Sequence, residues 1–210
     1  RKGTAVPGID AKSDAIYELV EEGSAVEQLA TGFTFTEGPI WHPTEQVLYF
    51  SDMPADIRRK VTLDGTVTEV RNPSFKCNGM TLEADLSLLV CEHVTSSLVR
   101  ERTDGVRETL AFHLQGKYLN SPNDVTVRSD GTIYFTDTNN HLLKAISPNG
   151  TLRTLSGGRY LDPYAYPFGV AIVPDGALYV ADSGQNRVLR FALPCETNCA
   201  FTVVAGTGGW

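Results

Sequence analysis

Glu37, Asn78, Asn123 and Phe168 stand at intervals of 41, 45 and 45 residues. Each opens a comparable segment: Glu37-Gly38-Pro39-Ile40-Trp41, Asn78-Gly79-Met80-Thr81-Leu82, Asn123-Asp124-Val125-Thr126-Val127 and Phe168-Gly169-Val170-Ala171-Ile172. Three of the four positions carry side-chain oxygen. A carboxylate joined by amide carbonyls is a hard-oxygen set, suited to Ca²⁺, Mg²⁺ or Mn²⁺ and not to a thiolate metal. An Asn before Gly or Asp at a strand start also has a plainer reading, as a turn. Glu37 is harder to explain that way. It precedes Gly-Pro on a strand expected to be buried, where a carboxylate needs a partner or a cation.

Other chemistries find little support. His42, His93, His113 and His141 share no metal-ligand spacing. His93, after Glu92 at the end of an apolar run, reads as a surface or hydrogen-bonded residue. There is no Gly-x-Ser-x-Gly and no phosphate-binding Gly-Lys loop. Cys77 and Cys91 lie in apolar contexts and are expected to be buried thiols. Cys195 and Cys199 flank Glu-Thr-Asn and can close a small disulfide in an oxidising compartment.

Residues so far apart in the chain meet only if a repeat brings them together. Each segment is followed by a turn and a second apolar run: Leu48–Asp52, Leu89–His93, Tyr134–Asp137 and Tyr179–Asp182. Third runs follow, such as Ser97–Arg100 and Arg187–Phe191. Asp64-Gly65, Asp104-Gly105 and Asn149-Gly150 then mark hairpins into fourth runs such as Val67–Val70 and Thr151–Leu155. Asp130-Gly131 and Asp175-Gly176 turn first strands into second ones. The runs are rich in Val, Tyr, Phe and Thr, as strands are. Four short strands at this period are the blades of a β-propeller.

The fold class read from the chain is therefore all-β. Residues 1–210 form a single propeller domain of about four blades of four antiparallel strands, near 33–76, 77–115, 120–158 and 165–206. In such a fold the first strand of each blade lines the central channel, so Glu37, Asn78, Asn123 and Phe168 should converge at its mouth. The aromatic stripe Tyr49, Phe50, Tyr134, Phe135 and Tyr179 is expected to pack between blades. Residues 14–20 read as a short helix or a strand, and Val26–Ala30 as an outer strand that completes the last blade. Four blades is the low end for propellers. The chain, starting at Arg1, is expected to be a fragment, with one or two blades lying beyond Trp210.

The 210 residues include 41% hydrophobic and 20% charged residues, with net charge −7. That apolar content excludes disorder. No apolar run reaches the ~20 residues of a membrane helix. The acidic balance argues against nucleic acid as a partner and is compatible with binding a cation.

Several motifs resemble the gluconolactonase / senescence-marker-protein (regucalcin) family, over about Val26 to Asp137. They are Thr36-Glu37-Gly38-Pro39-Ile40-Trp41, Asn78-Gly79-Met80, Val90-Cys91-Glu92-His93, Leu119-Asn120-Ser121-Pro122-Asn123-Asp124-Val125 and Ser129–Asp137. The resemblance implies a six-bladed propeller, one divalent cation at the top of the channel (Ca²⁺ first; Mg²⁺, Mn²⁺ or Zn²⁺ as alternatives) and lactone hydrolysis. Carried over, Glu37 and Asn123 are the metal residues. Asn78, Asn120 and Asp124 are the substrate-binding residues for a small sugar-lactone-like molecule. Two positions depart from the family pattern. Phe168 stands where the fourth blade normally offers a metal-binding Asn. The fifth-blade Asp, the family's base, would fall after Trp210. The last unit, Pro167–Val188, instead resembles an NHL repeat, as does Thr202–Gly209. That motivates the alternative of a non-catalytic propeller that binds a ligand or protein.

Overall fold

The computed structural model describes residues 5–6, 13–157 and 166–207. Four sheets of four antiparallel strands follow one another along the chain. Blade one comprises Thr36–His42, Val47–Asp52, Ile57–Thr62 and Val67–Arg71. Blade two comprises Cys77–Leu82, Leu88–Glu92, Ser97–Glu101 and Arg107–Ala111. Blade three comprises Pro122–Val127, Ile133–Asp137, Leu142–Ile146 and Leu152–Gly157. Blade four comprises Pro167–Ile172, Leu178–Asp182, Arg187–Phe191 and Phe201–Gly206. Among the described residues the helical pieces are short 3-10 turns, and no helix is long and apolar enough to cross a membrane.

The turns form where Asp or Asn stands before Gly. Asp64, Asp104, Asp130 and Asp175 each accept the backbone N–H two residues on, at 2.8 to 3.0 Å. Asn149 does the same to Thr151 at 3.1 Å. The side chain mimics a backbone turn, so the hairpin is set locally.

Apolar layers lie between consecutive blades. Tyr134, Leu155, Leu178 and Phe191 belong to the layer between blades three and four, and Leu89, Leu98, Ile133 and Phe135 to that between two and three. Tyr134 and Phe135 are 1% and 0% exposed. Neighbouring residues of one strand thus fill opposite layers, as the pleat requires. The layer between blades one and two is smaller, around Cys77, Met80 and Val90. Charge supplements it. Arg58 and Arg71 of blade one both reach Glu101 of blade two, and Arg107 bridges Glu101 and Glu92. Phe75 lies against the Arg71 and Arg107 guanidinium groups.

An acid closes the second strand of every blade. Asp52, Glu92, Asp137 and Asp182 are each 0 or 1% exposed. Each has a cation: Arg59, Arg107, Lys144 and Arg187 respectively. Asp52 also accepts the N–H groups of Thr34 and Phe35, and Asp137 that of Asn120. In blades one and three the acid therefore pins the connection that leads into the first strand, and with it the strand's start. In blade four the Arg187 Nε donates to Asp182 at 2.7 Å. Arg187→Ala would strand that carboxylate, and we expect a loss of about 3 kcal/mol. Urea denaturation checks this. Asp182→Asn in the same background should recover most of the loss.

Residues 14–20 supply a short 3-10 helix, Asp14–Glu18, the first of the two readings, with Ser13 accepting the Ala15 N–H. Val26–Glu27 pairs with Ala5–Val6 in a separate two-stranded sheet. Cys77 and Cys91 are buried, as expected, and burial pushes the Cys91 thiol up. Cys195 and Cys199 are joined in a disulfide, and the Cys199 N–H reaches the Leu155 carbonyl of blade three at 2.8 Å.

Candidate functional site

Every first strand carries a register shift at the same place. It falls between Glu37 and Ile40, Cys77 and Met80, Pro122 and Val125, and Pro167 and Val170. These β-bulges break the ladder and re-aim the side chains there. In blades two to four the interrupted stretch holds Asn78, Asn123 and Phe168. In blade one Glu37 keeps its ladder partner Ser51 and the shift takes in Gly38-Pro39.

The bulges meet. Glu37, Asn78, Asn123, Asp124 and Phe168 line one cavity of about 340 Å³, with Met80 and Pro39 among the apolar contributors. Glycine permits the approach. A Cβ on Gly38, whose φ is +52°, would lie 2.2 Å from the Asn78 carbonyl oxygen. One on Gly79 would lie 2.4 Å from Asp124 Oδ1 and 2.5 Å from the Asn123 carbonyl oxygen. Blades one, two and three therefore touch backbone to backbone at the cavity.

Hydroxyls from the second strands lock these contacts. Ser51 Oγ donates to the Asn78 carbonyl at 2.8 Å, and Thr136 Oγ1 to the Phe168 carbonyl at 2.8 Å. Both stand one residue before the acid that ends their strand. The equivalence is visible when the second runs are aligned, Ser51-Asp52 with Thr136-Asp137. Asp124 replaces the glycine found after the other site residues. Its Oδ2 accepts the Val170 N–H and its Oδ1 the Val125 N–H, both at 2.9 Å, which ties blade three to blade four.

The electrostatics are one-sided. Among the described residues no Lys or Arg lines the cavity. Burial raises the Glu37 pKa. Burial raises that of Asp124 too, offset in part by the Val170 and Val125 N–H groups and reinforced by the Glu37 charge. Asn78 is 2% exposed; its Nδ2 lies 3.3 Å from His93 Nε2, while its Oδ1 is buried with no hydrogen-bond partner. Two carboxylates without a basic neighbour, plus an orphaned carbonyl oxygen, fit a hard cation. Among the described residues no three His, Cys, Asp or Glu gather as a metal set, so amide oxygens would have to share the ligation.

The structure thus brings together four residues singled out in the sequence: Glu37, Asn78, Asn123 and Asp124. Phe168 joins them with its side chain 44% exposed. Asn120 is placed elsewhere, exposed on the connection before blade three. Its backbone N–H donates to Asp137 at 2.7 Å and its carboxamide lies 3.4 Å from Asn139 Nδ2.

Comparison with known proteins gives a consistent picture. The family model described as the SMP-30/Gluconolactonase/LRE-like region matches residues 35–201. A gluconolactonase of Zymomonas mobilis is 29% identical over 209 residues, covering 87% of this chain and 58% of that protein. The chain thus spans little more than half the length of that curated relative. The structure of a gluconolactonase from Xanthomonas campestris superposes with a TM-score of 0.84 at 26% identity, over 99% of this chain and 75% of the other. A calcium-binding regucalcin from Agrobacterium tumefaciens shares the fold, with a TM-score of 0.62 at 20% identity over 82% of this chain and 60% of that one.

Proposed function

Because the chain belongs to the SMP-30/gluconolactonase/LRE-like family, we propose that its bulge-lined cavity is the cation and substrate site of a lactone hydrolase. One observation carries the reading most: Glu37, Asn78, Asn123 and Asp124 converge in one cavity with no basic side chain among the described residues of its lining. Glu37 and Asn123 would hold a divalent cation, with Ca²⁺ the first choice. When bound, such a cation polarises a lactone carbonyl and acidifies water.

The chain's own groups do the rest of the positioning. Asn78 and Asp124 face the same space and offer acceptors to substrate hydroxyls; each Asp124 oxygen keeps a lone pair beyond its backbone bond. Asn120 stands outside the cavity lining and is given no contact with the substrate. Met80, Pro39 and Phe168 supply the apolar part of the lining.

Phe168 favours a second reading. An exposed aromatic ring where three sister positions bear oxygen suits a binding platform that performs no hydrolysis. The two separate cleanly. The full-length protein should open an aldonolactone, followed by acid release at constant pH, with Ca²⁺, Mg²⁺, Mn²⁺ or Zn²⁺ and not with chelator. Absence of turnover with every cation overturns the hydrolase and leaves the platform.

A further inference from the structure

We propose that the aromatic hairpin between blades two and three, with Tyr118 at its base, is a subsite for a further sugar ring, so that the lactones taken by this chain are those at the end of a short oligosaccharide. The inference rests on the reading of the cavity as a lactone site and adds to it the class of substrate.

The connection from Ala111 to Pro122 carries a hairpin of its own, His113–Leu114 with Lys117–Tyr118. Phe112, His113 and Tyr118 cluster there, with ring centroids 4.3 to 6.4 Å apart. All three are exposed, Tyr118 by 71% and Phe112 by 44%. Blades two and three each have a described blade on both sides, so these rings do not belong to an uncovered sheet face. Clustered rings left in water add little to the fold and mark a binding surface.

The hairpin stands at the cavity end of the propeller, because it leads into the start of the first strand of blade three. Tyr118 lies five residues before Asn123, at most about 18 Å along the chain. A rim of contacts joins the two. Asn140 Nδ2 donates to the Tyr118 carbonyl at 2.9 Å. The ring of the next residue, His141, meets that of Tyr166 edge-on at 4.6 Å, and Tyr166 lies two residues before Phe168 of the cavity lining. Asn139 Nδ2 donates to Ser121 Oγ at 3.1 Å, and Ser121 lies two residues before Asn123.

The chemistry of this rim selects the ligand. It is aromatic and carboxamide, not aliphatic. A pyranose has C–H bonds on its face and hydroxyls around its edge. The face suits the negative π surface of an aromatic ring. The hydroxyls suit a carboxamide such as the exposed Asn139, which offers both donors and an acceptor. An acyl chain would use the rings but leave the amides without partners. With its lactone ring in the cavity, an oligosaccharide would lay its next sugar along the rim toward Tyr118.

Kinetics on the full-length protein test this, with the aldonolactones of cellobiose, of maltose and of glucose alone, each with Ca²⁺, Mg²⁺, Mn²⁺ or Zn²⁺. The wild type should open at least one disaccharide lactone with a kcat/KM about ten-fold above that for the glucose lactone. Tyr118→Ala should abolish that preference, and Tyr118→Phe, which keeps the ring, should hold it within about two-fold. Both variants should keep the urea midpoint of the parent, since the side chain is exposed. No preference in the wild type, or one that survives in Tyr118→Ala, overturns the proposal. If no cation supports turnover of any lactone, the hydrolase reading fails, and calorimetry with the disaccharide aldonates decides the rim alone. Binding that Tyr118→Ala weakens about ten-fold supports the subsite; no binding, or binding unchanged in the variant, overturns it.

Discussion

Glu37→Gln in the full-length protein should weaken Ca²⁺ binding about 100-fold, or about 2.7 kcal/mol, and reduce any cation-dependent turnover in step. The substitution keeps the shape and one carbonyl oxygen but removes the charge, and ligand charge is a main determinant of affinity at a hard-oxygen site. Calorimetry on the variant and its parent reads the effect directly, and equal affinities would remove Glu37 from the site. A second signature is a crossing of stabilities. Folding raises the Glu37 pKa through burial, so the folded state holds more protons than the unfolded chain just above pH 4.3, its ordinary value. By linkage, stability falls as pH rises through that window. Glu37→Gln deletes this term. In chelator at neutral pH the variant should be at least as stable as the parent. In saturating Ca²⁺ the order should reverse, because binding stabilises the parent by about 2.7 kcal/mol at 100 times Kd. Urea titrations with and without Ca²⁺ check both halves.

Gly79→Ala should cost about 4 kcal/mol or more, at the severe end for a single substitution. The added carbon would sit 2.4 Å from Asp124 Oδ1, 2.5 Å from the Asn123 carbonyl oxygen and 2.6 Å from the Asp124 Cα. Two of these three atoms are backbone, so no rotamer change relieves the clash. Blades two and three would have to part at the cavity, which displaces Asn123. Gly169 holds the equivalent repeat position, yet the nearest atoms to its Cβ would be Ala181 Cβ at 3.7 Å and Asp124 Oδ2 at 3.8 Å. Gly169→Ala should therefore change stability by less than about 0.5 kcal/mol. Similar urea midpoints for the two variants would show that the close approach at Gly79 is not what the fold requires.

Much of this architecture was legible because it repeats. A strand start at 41- to 45-residue intervals, followed by Asp-Gly or Asn-Gly turns, carries its signal in local chemistry, and the structure holds four sheets of four antiparallel strands. The convergence of Glu37, Asn78, Asn123 and Phe168 follows from the same repeat. What escaped notice depends on geometry across blades. The hairpin of His113–Leu114 with Lys117–Tyr118 turns at Gln115-Gly116, with φ of 52° and 76°. Gln is a poor advertisement for a left-handed turn, so no motif announced it. The bulges left only an indirect trace, the glycine after a site residue, and in blade three even that is replaced by Asp124. The partnership of His93 with Asn78 is a contact made 15 residues apart, and nothing in either segment's pattern encodes it.

The pins at the ends of the second strands have a consequence for how such a site can change over time. Asp52, Glu92, Asp137 and Asp182 each anchor one sheet with a cation from that sheet. Every corner of the channel is thus mounted on its own bracket. A replacement at one corner perturbs its immediate neighbours while the other brackets stay bolted. Phe168 is what such tinkering would leave behind: a ring in one quadrant, with the acidic and amide quadrants opposite still in register.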